Sequence, residues 1–534
     1  MDSELIREIG RRRTFAIISH PDAGKTTLTE KLLLYGGAIN LAGSVRAGKN
    51  RRHATSDWME LERQRGISIT STVLQFEYDD CCINLLDTPG HEDFSEDTYR
   101  TLTAADNAAM LIDSGKGIEA QTLKLFDVCR MRNIPIFTFM NKMDRPARDP
   151  IDLLDEIEHV LEIGAFPMNW PIGNGTSFCG VFDRMTNEVH LFERTDHGAT
   201  AGAVTVRNAY DPALEGIVDK SAYKQFREEM ELLEIAGHDF DREKLMNGKQ
   251  TPVYFGSAVT NFGVKLFLDS FINLAQTPGP RKTPGGTVHP EDEGFSGFVF
   301  KIQANMDPKH RDSVAFLRVC SGRFEKDMPV HHARLGTKIR LSRPHKLFAR
   351  ERETVETAFP GDILGLVNPG SFHIGDTVSA GKRVSFDGVP LFAPEHFAVM
   401  RCPDTAKYKN FHKGIEQLLQ EGAVQVFYWK GGIKSEPILA AVGKLQFEVV
   451  QHRMLNEYAV EVVLDSLPYS KMAWLQGDPE DIRKMTVPSS ARVAEDREER
   501  PIALFGGDWE YNYAREKNPK LTFLNIAPIT ASRS

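Results

Sequence analysis

Phe15-Ala16-Ile17-Ile18-Ser19-His20-Pro21-Asp22-Ala23-Gly24-Lys25-Thr26-Thr27 runs from an unbroken apolar stretch into a Gly-Lys-Thr that opens a helical pattern. The apolar stretch is too short for a helix and reads as a strand buried on both faces, with a helix following from Lys25 to Leu34. Free N–H groups and the positive dipole end at such a helix start attract phosphate. Gly24 lets the backbone come close, Lys25 offers a point charge to β- and γ-phosphates, and the Thr26 hydroxyl can ligate Mg²⁺. The loop Ser19 to Thr27 departs from the G-x-x-x-x-G-K-[ST] pattern at its first residue, Ser19.

Further strand-like runs follow at Cys82 to Leu86, Ala108 to Ile112, Ile134 to Met140 and Val253 to Phe255, alternating with helical patterns as far as about Gln276. That alternation predicts a mostly parallel sheet covered by helices on both faces, an α/β nucleotide-binding domain. Asp87-Thr88-Pro89-Gly90-His91 leaves the second of these runs. Asp87 suits Mg²⁺ through a water, Gly90 can present its N–H to a γ-phosphate, and His91 is then placed to position or polarise an attacking water. A lone loop histidine is usually structural; the place of His91 directly after the γ-phosphate sensor favours catalysis.

Asn141-Lys142-Met143-Asp144 leaves the Ile134 to Met140 strand. The Asp144 carboxylate can accept from guanine N1–H and its exocyclic amine, a donor pair adenine lacks, so it selects GTP or GDP over adenine nucleotides. Ser257-Ala258, after the last strand, can offer a backbone N–H to guanine O6, a signal carried by chain order more than by two small residues. Arg65-Gly66-Ile67-Ser68-Ile69-Thr70 lies where an order-disorder switch belongs, with Ser68 a candidate Mg²⁺ ligand or an ordinary strand-start serine. The nearby Arg46, Lys49, Arg51 and Arg52 read first as a solvated face and second as an RNA contact.

Around this domain the chain is long enough for several cores, at 534 residues with 41% hydrophobic and 26% charged. The expected division is 1–280 for the nucleotide domain, with an insertion about 145–250, then 281–388 as a β-barrel and 389–534 as an α+β sandwich. Prolines 278, 280, 284 and 290 with neighbouring glycines predict a linker without regular elements from Gln276 to Glu293. Barrel strands are predicted at Gly297 to Ile302 and Val314 to Val319. In the last unit, helices are predicted at Phe411 to Gln420 and Leu445 to Glu457, and strands at Val424 to Tyr428, Ile438 to Val442 and Ala459 to Leu464. A net charge of −9 argues against non-specific coating of nucleic acid. The charged N-terminus and the lack of a long apolar run predict neither secretion nor a membrane span. Six cysteines without C-x-x-C spacing suit packing residues in a reducing compartment.

These phosphate, Mg²⁺, guanine and switch motifs, in this order, resemble the translational GTPases that include elongation factors G and Tu. The closer resemblance is to the termination branch of that family. Residues carrying it are 19–26, Ser56-Asp57-Trp58-Met59-Glu60, Gln64 to Thr70, His91 to Arg100, Lys301 to Asp312 and Glu421 to Phe427. The resemblance implies that Ser19 and Ser68 are accepted variants, that the middle unit is a translation-type barrel, and that the chain is a cytoplasmic, ribosome-stimulated GTPase. It further implies class I peptide chain release factors and the ribosome as partners, and a monomer. The tail after about Leu475, with Glu495-Asp496-Arg497-Glu498-Glu499-Arg500, carries no part of the resemblance. An elongation-type ribosomal GTPase and a non-catalytic GTP-gated scaffold are the alternatives.

Overall fold

The computed structural model describes residues 3–39, 62, 68–192, 204–208, 211–236, 239–304, 313–342, 344–348, 351–368, 370–430 and 437–528. The basic cluster at 46–52, the stretches 56–60 and 64–67, and residues 305–312 lie outside them. Alternating side chains of the first strand, β1 (Arg12–Ser19), set the layering of the nucleotide-binding unit. Ala16 and Ile18 enter one core with residues of helices Ala120–Met131 and Pro150–Leu161, while Phe15 and Ile17 enter a second with helices Lys25–Tyr35 and Val264–Leu274. A period of two on a sheet covered by helices on both sides makes both faces apolar.

The other strands of this unit are β2 (Thr72–Tyr78), β3 (Cys81–Asp87), β4 (Asn107–Asp113), β5 (Ile136–Asn141), β6 (Gly164–Pro167), β7 (Asn169–Ile172), β8 (Gly180–Asp183), β9 (Glu188–Phe192), β10 (Val204–Asn208) and β11 (Gln250–Phe255). Among the described residues the main sheet runs β2-β3-β1-β4-β5-β11-β6, parallel except for the β2–β3 hairpin. Strands β7 to β10 form a separate antiparallel sheet, but β6, from the same stretch, joins the main sheet beside β11. No disulfide joins the six cysteines.

Beyond the nucleotide-binding unit, Ser296–Ala304 and Ser313–Ser321 pair antiparallel at the centre of a sheet that has eight strands among the described residues and packs around Val299, Ile302, Leu317, Val319 and Val378. The predicted linker contains a short hairpin, Arg281–Thr283 with Gly286–Val288. Its prolines fall outside the paired residues or in the turn, where Pro284-Gly285 and the left-handed Gly286 reverse the chain, so they frame the hairpin instead of breaking it.

The C-terminal sheet also has eight strands among the described residues, with helices Tyr408–Gln420 and Lys444–Tyr458 packed on a shared apolar cluster. The strand predicted from Ala459 instead begins at Val463, because Ala459 takes the left-handed conformation that ends the preceding helix. The tail after Leu475 is part of the fold: Arg492–Asp496, Pro501–Phe505 and Thr522–Leu524 complete the sheet. Its mixed-charge run is the turn between two of them. There Asp496 accepts from the N–H groups of Glu498 and Arg500, from Arg500 Nε and from the buried Trp474 indole.

Candidate nucleotide site

Parallel register brings the carboxyl ends of β1, β3, β4, β5 and β11 to one edge. Ile17 lies opposite Asp87, Ser19 opposite Leu111, Asp113 opposite Asn141 and Phe255 opposite Met140. The order reverses at β1, with β3 on one side and β4 on the other, and such a switch point opens a crevice for a ligand. Loops 19–27, 87–91, 141–144 and 257–258 all leave this edge.

Asn141 is the strut between three of them. Buried at the end of β5, its amide nitrogen donates to Ala23 O at 2.7 Å and its oxygen accepts from Ala258 N–H at 2.8 Å. Gly24, with φ of 100°, has no room for a side chain, since a Cβ would lie 2.4 Å from Asn141 Nδ2. It opens the helix Lys25–Tyr35 with no side-chain cap, so its first N–H groups face the loop. Asp22 is also left-handed, and Pro21 lies about as close to Gly90 as Lys25 does: a Cβ on Gly90 would meet Lys25 Nζ at 2.8 Å and Pro21 Cα at 3.4 Å. The Lys25 ammonium, 3.4 Å from Ser19 Oγ, therefore sits between the phosphate loop and the Asp87–His91 loop. His20 lies 3.2 Å from Glu119, and Thr26 and Thr27 are half-buried.

Asp87 is buried at the end of β3, and Thr88 holds that loop by donating to Ile17 O at 2.6 Å. Pro89 O accepts from Thr98 Oγ1. Thr72 pairs with Asp87, so the Ser68 segment enters the sheet at the Asp87 end. Thr26, Ser68 and Asp87 would offer oxygen donors only, the chemistry that suits Mg²⁺ completed by phosphate and water. Among the described residues no cluster of three His, Cys, Asp or Glu offers a competing protein-only metal site.

Asp144 accepts from Ser257 Oγ at 2.6 Å through one oxygen, which orients the carboxylate. Met143 is buried beneath the loop, its N–H on Gly256 O. Lys142, left-handed at φ 71°, donates to Asp113 at 2.7 Å. Burial raises the Asp113 carboxyl, but Lys142 and the Gly115 N–H outweigh it and hold it below the usual range. The Ser257 N–H donates to Phe262 O and the Ala258 N–H to Asn141 Oδ1, so a guanine O6 taking the Ala258 N–H would share that donor with Asn141.

His91 is about one-third exposed, and its Nδ1 accepts from the Asp93 N–H at 3.3 Å. The same Nδ1 lies 3.3 Å from Asp93 Oδ1, so both the N–H and the carboxylate of Asp93 face the ring.

Several residues to which the sequence alone gives no role surround the switch and the His91 loop. Glu62 accepts from the N–H groups of Ile69 and Thr70 at 2.9 and 3.1 Å. Asp97 accepts from Ser71 N–H and Oγ, both at 2.6 Å, and Lys301 of the barrel reaches both Asp97 and Ser71 O. Burial pushes the Asp97 carboxyl up, but Lys301, Arg100 and the Ser71 donors hold it below its ordinary value. Arg100 donates to Glu421 O and Gly422 O, and Glu421 pairs with the buried Arg453 at 2.9 Å. The sequence signal was the run of charges after His91, whose partners lie hundreds of residues away.

Residues 10–277 match the family described as Elongation factor Tu GTP binding domain, 294–381 that of Elongation factor G domain 2, and 386–515 that of Class II release factor RF3, C-terminal domain. The fold and the edge loops thus define a translational GTPase. The chain is 61% identical to Peptide chain release factor 3 of Gloeobacter violaceus, over 98% of this chain and 99% of the relative. It is 56% identical to the protein of the same name from Trichodesmium erythraeum, over 100% of this chain and 98% of that one. It belongs to the peptide chain release factor 3 family and is a release-factor GTPase. A solved structure from Thermus thermophilus shares the fold, with a TM-score of 0.68 at 22% identity over 88% of this chain and 71% of that one. Among the described residues no helix is long and apolar enough to cross a membrane.

Proposed function

We propose that this chain binds GTP with Mg²⁺, hydrolyses it to GDP and phosphate when stimulated by the ribosome, and thereby promotes dissociation and recycling of class I peptide chain release factors during termination. The observation that carries the reading is the tie between phosphate, Mg²⁺ and guanine loops, through Asn141 and through Lys25 beside Gly90. Loop 19–27 holds the phosphates, Asp144 reads guanine, and Thr26, Ser68 and Asp87 hold Mg²⁺, which neutralises phosphate charge. His91 positions or polarises the attacking water.

The division into units 1–280, 281–388 and 389–534 belongs to the same reading, as does action as a cytoplasmic monomer. Ordering of the Ser68 segment by the triphosphate would set how these units sit together, and the nucleotide shifts the chain only by its differential affinity for the two arrangements.

Release of a bound class I factor from termination complexes, followed with this chain and GTP or GDP, tests the function. GTP-dependent acceleration is expected, and equal rates with both nucleotides would overturn it. His91→Ala should keep GTP affinity and lose most ribosome-stimulated turnover. Undiminished turnover would favour a GTP-gated scaffold or another catalytic group.

A further inference from the structure

Two residues after His91, Asp93 has contacts in two directions. Its N–H donates to His91 Nδ1, so the imidazole caps the short 3-10 turn Glu92–Phe94. Its carboxylate bridges to the C-terminal unit: one oxygen lies 3.3 Å from His91 Nδ1, and the other accepts from Leu445 N–H at 2.7 Å, at the start of helix Lys444–Tyr458. A carboxylate at a helix N-terminus satisfies an orphan donor and meets the positive end of the dipole.

Gly443 shows how close this contact is. At φ −137° any residue could adopt its backbone, but a Cβ there would lie 2.0 to 2.4 Å from the carboxyl atoms of Asp93. The glycine makes room for the carboxylate. Beside it, Phe94 and Ile69 pack with Val449 and Leu445 of the same helix. Ile69 follows the switch residue Ser68, so one helix of the C-terminal unit touches both the switch and the catalytic loop.

We propose that Asp93 is a positioning residue through which helix Lys444–Tyr458 sets the placement of His91, so that turnover depends on docking of the C-terminal unit. The inference rests on His91 acting in hydrolysis. Undocking that helix releases the Asp93 carboxylate, loosens the 3-10 turn and frees the imidazole that caps it.

The test uses the full chain with ribosomes, and compares kcat, KM for ribosomes and GTP affinity for Asp93→Ala, Asp93→Asn, Gly443→Ala, the Asp93→Ala/Gly443→Ala double variant, and His91→Ala. Gly443→Ala changes nothing in the nucleotide unit, yet it should lower kcat about ten- to hundredfold, the scale on which remote misplacement of a catalytic group acts. Asp93→Ala should do the same, both with GTP affinity unchanged. Asp93→Asn keeps an oxygen for the Leu445 N–H and should retain most of the turnover. The double variant should be no slower than Asp93→Ala, because Asp93→Ala already removes the carboxylate that a Gly443 side chain would displace.

Wild-type kcat in Gly443→Ala, a loss confined to KM, or single effects that multiply in the double variant would each overturn the proposal. Full turnover in His91→Ala would place the error in the role of His91 itself. Loss in His91→Ala with none in Gly443→Ala would place it in the coupling.

Discussion

Replacing Asn141 with alanine removes both bonds of the strut that joins the phosphate loop to the guanine loop. The amide is 2% exposed, so Ala23 O and Ala258 N–H would lose partners where water enters poorly. Each orphaned buried group costs about 1–3 kcal/mol, or roughly 2–6 kcal/mol for the pair. Even the lower figure of about 2 kcal/mol, if it falls on the nucleotide-ready arrangement, raises the Kd for GTP about thirtyfold. Titration with a fluorescent GTP analogue, beside thermal unfolding of the same samples, separates weakened binding from lost folding. Asn141→Asp keeps the acceptor for Ala258 but sets a carboxylate oxygen against Ala23 O, so it should bind no better than the alanine variant. A Kd within about threefold of wild type for Asn141→Ala would refute the strut.

Asp144→Asn should shift preference from GTP toward xanthosine triphosphate, measured by competition; unchanged preference would remove Asp144 from base reading. Arg318→Met removes the guanidinium that pairs with Asp106 and donates to Thr14 and Gly361 O between the nucleotide unit and the barrel, leaving Asp106 only the longer Arg281 contact at 4.0 Å; it should destabilise by about 3–5 kcal/mol in urea unfolding, and a loss under about 1 kcal/mol would show the pair to be dispensable. In the barrel, burial raises the Asp376 carboxyl, but Arg334 and the His332 and His373 groups overcome it and bring it down to about 2. Because the folded value lies below the unfolded one, this stability is complete above about pH 4 and is lost as pH falls toward 2. The advantage of wild type over Asp376→Asn should then shrink by about 2 kcal/mol across that window, and a constant difference would refute the assignment.

The nucleotide loops were legible because each follows a short apolar strand, and parallel pairing forces all such strands to end together. Thus Ser19, Asp87, Asn141 and Ser257 arrive at one edge from local pattern alone. The hairpin at 281–288 was illegible, because strands of three residues carry too little alternation to outweigh four surrounding prolines. The tail after Leu475 was illegible for another reason: its strands belong to a sheet whose other members come earlier in the chain.

By itself the sequence determined the class of ligand, the strand-and-loop frame that holds it and the barrel that follows, since these depend on residues near one another in the chain. Tertiary structure alone decided what joins the parts. Asn141 could be read as a guanine-loop residue but not as a bridge to Ala23 and Ala258. Asp93, Asp97 and Arg100 read as one charged run after His91, yet they reach Leu445, Lys301 and Glu421 respectively. A carboxylate has no periodicity that names its partner. Which distant donor it meets is set by how apolar faces elsewhere in the chain pack, and that packing brings helix Lys444–Tyr458 against the loop that carries His91.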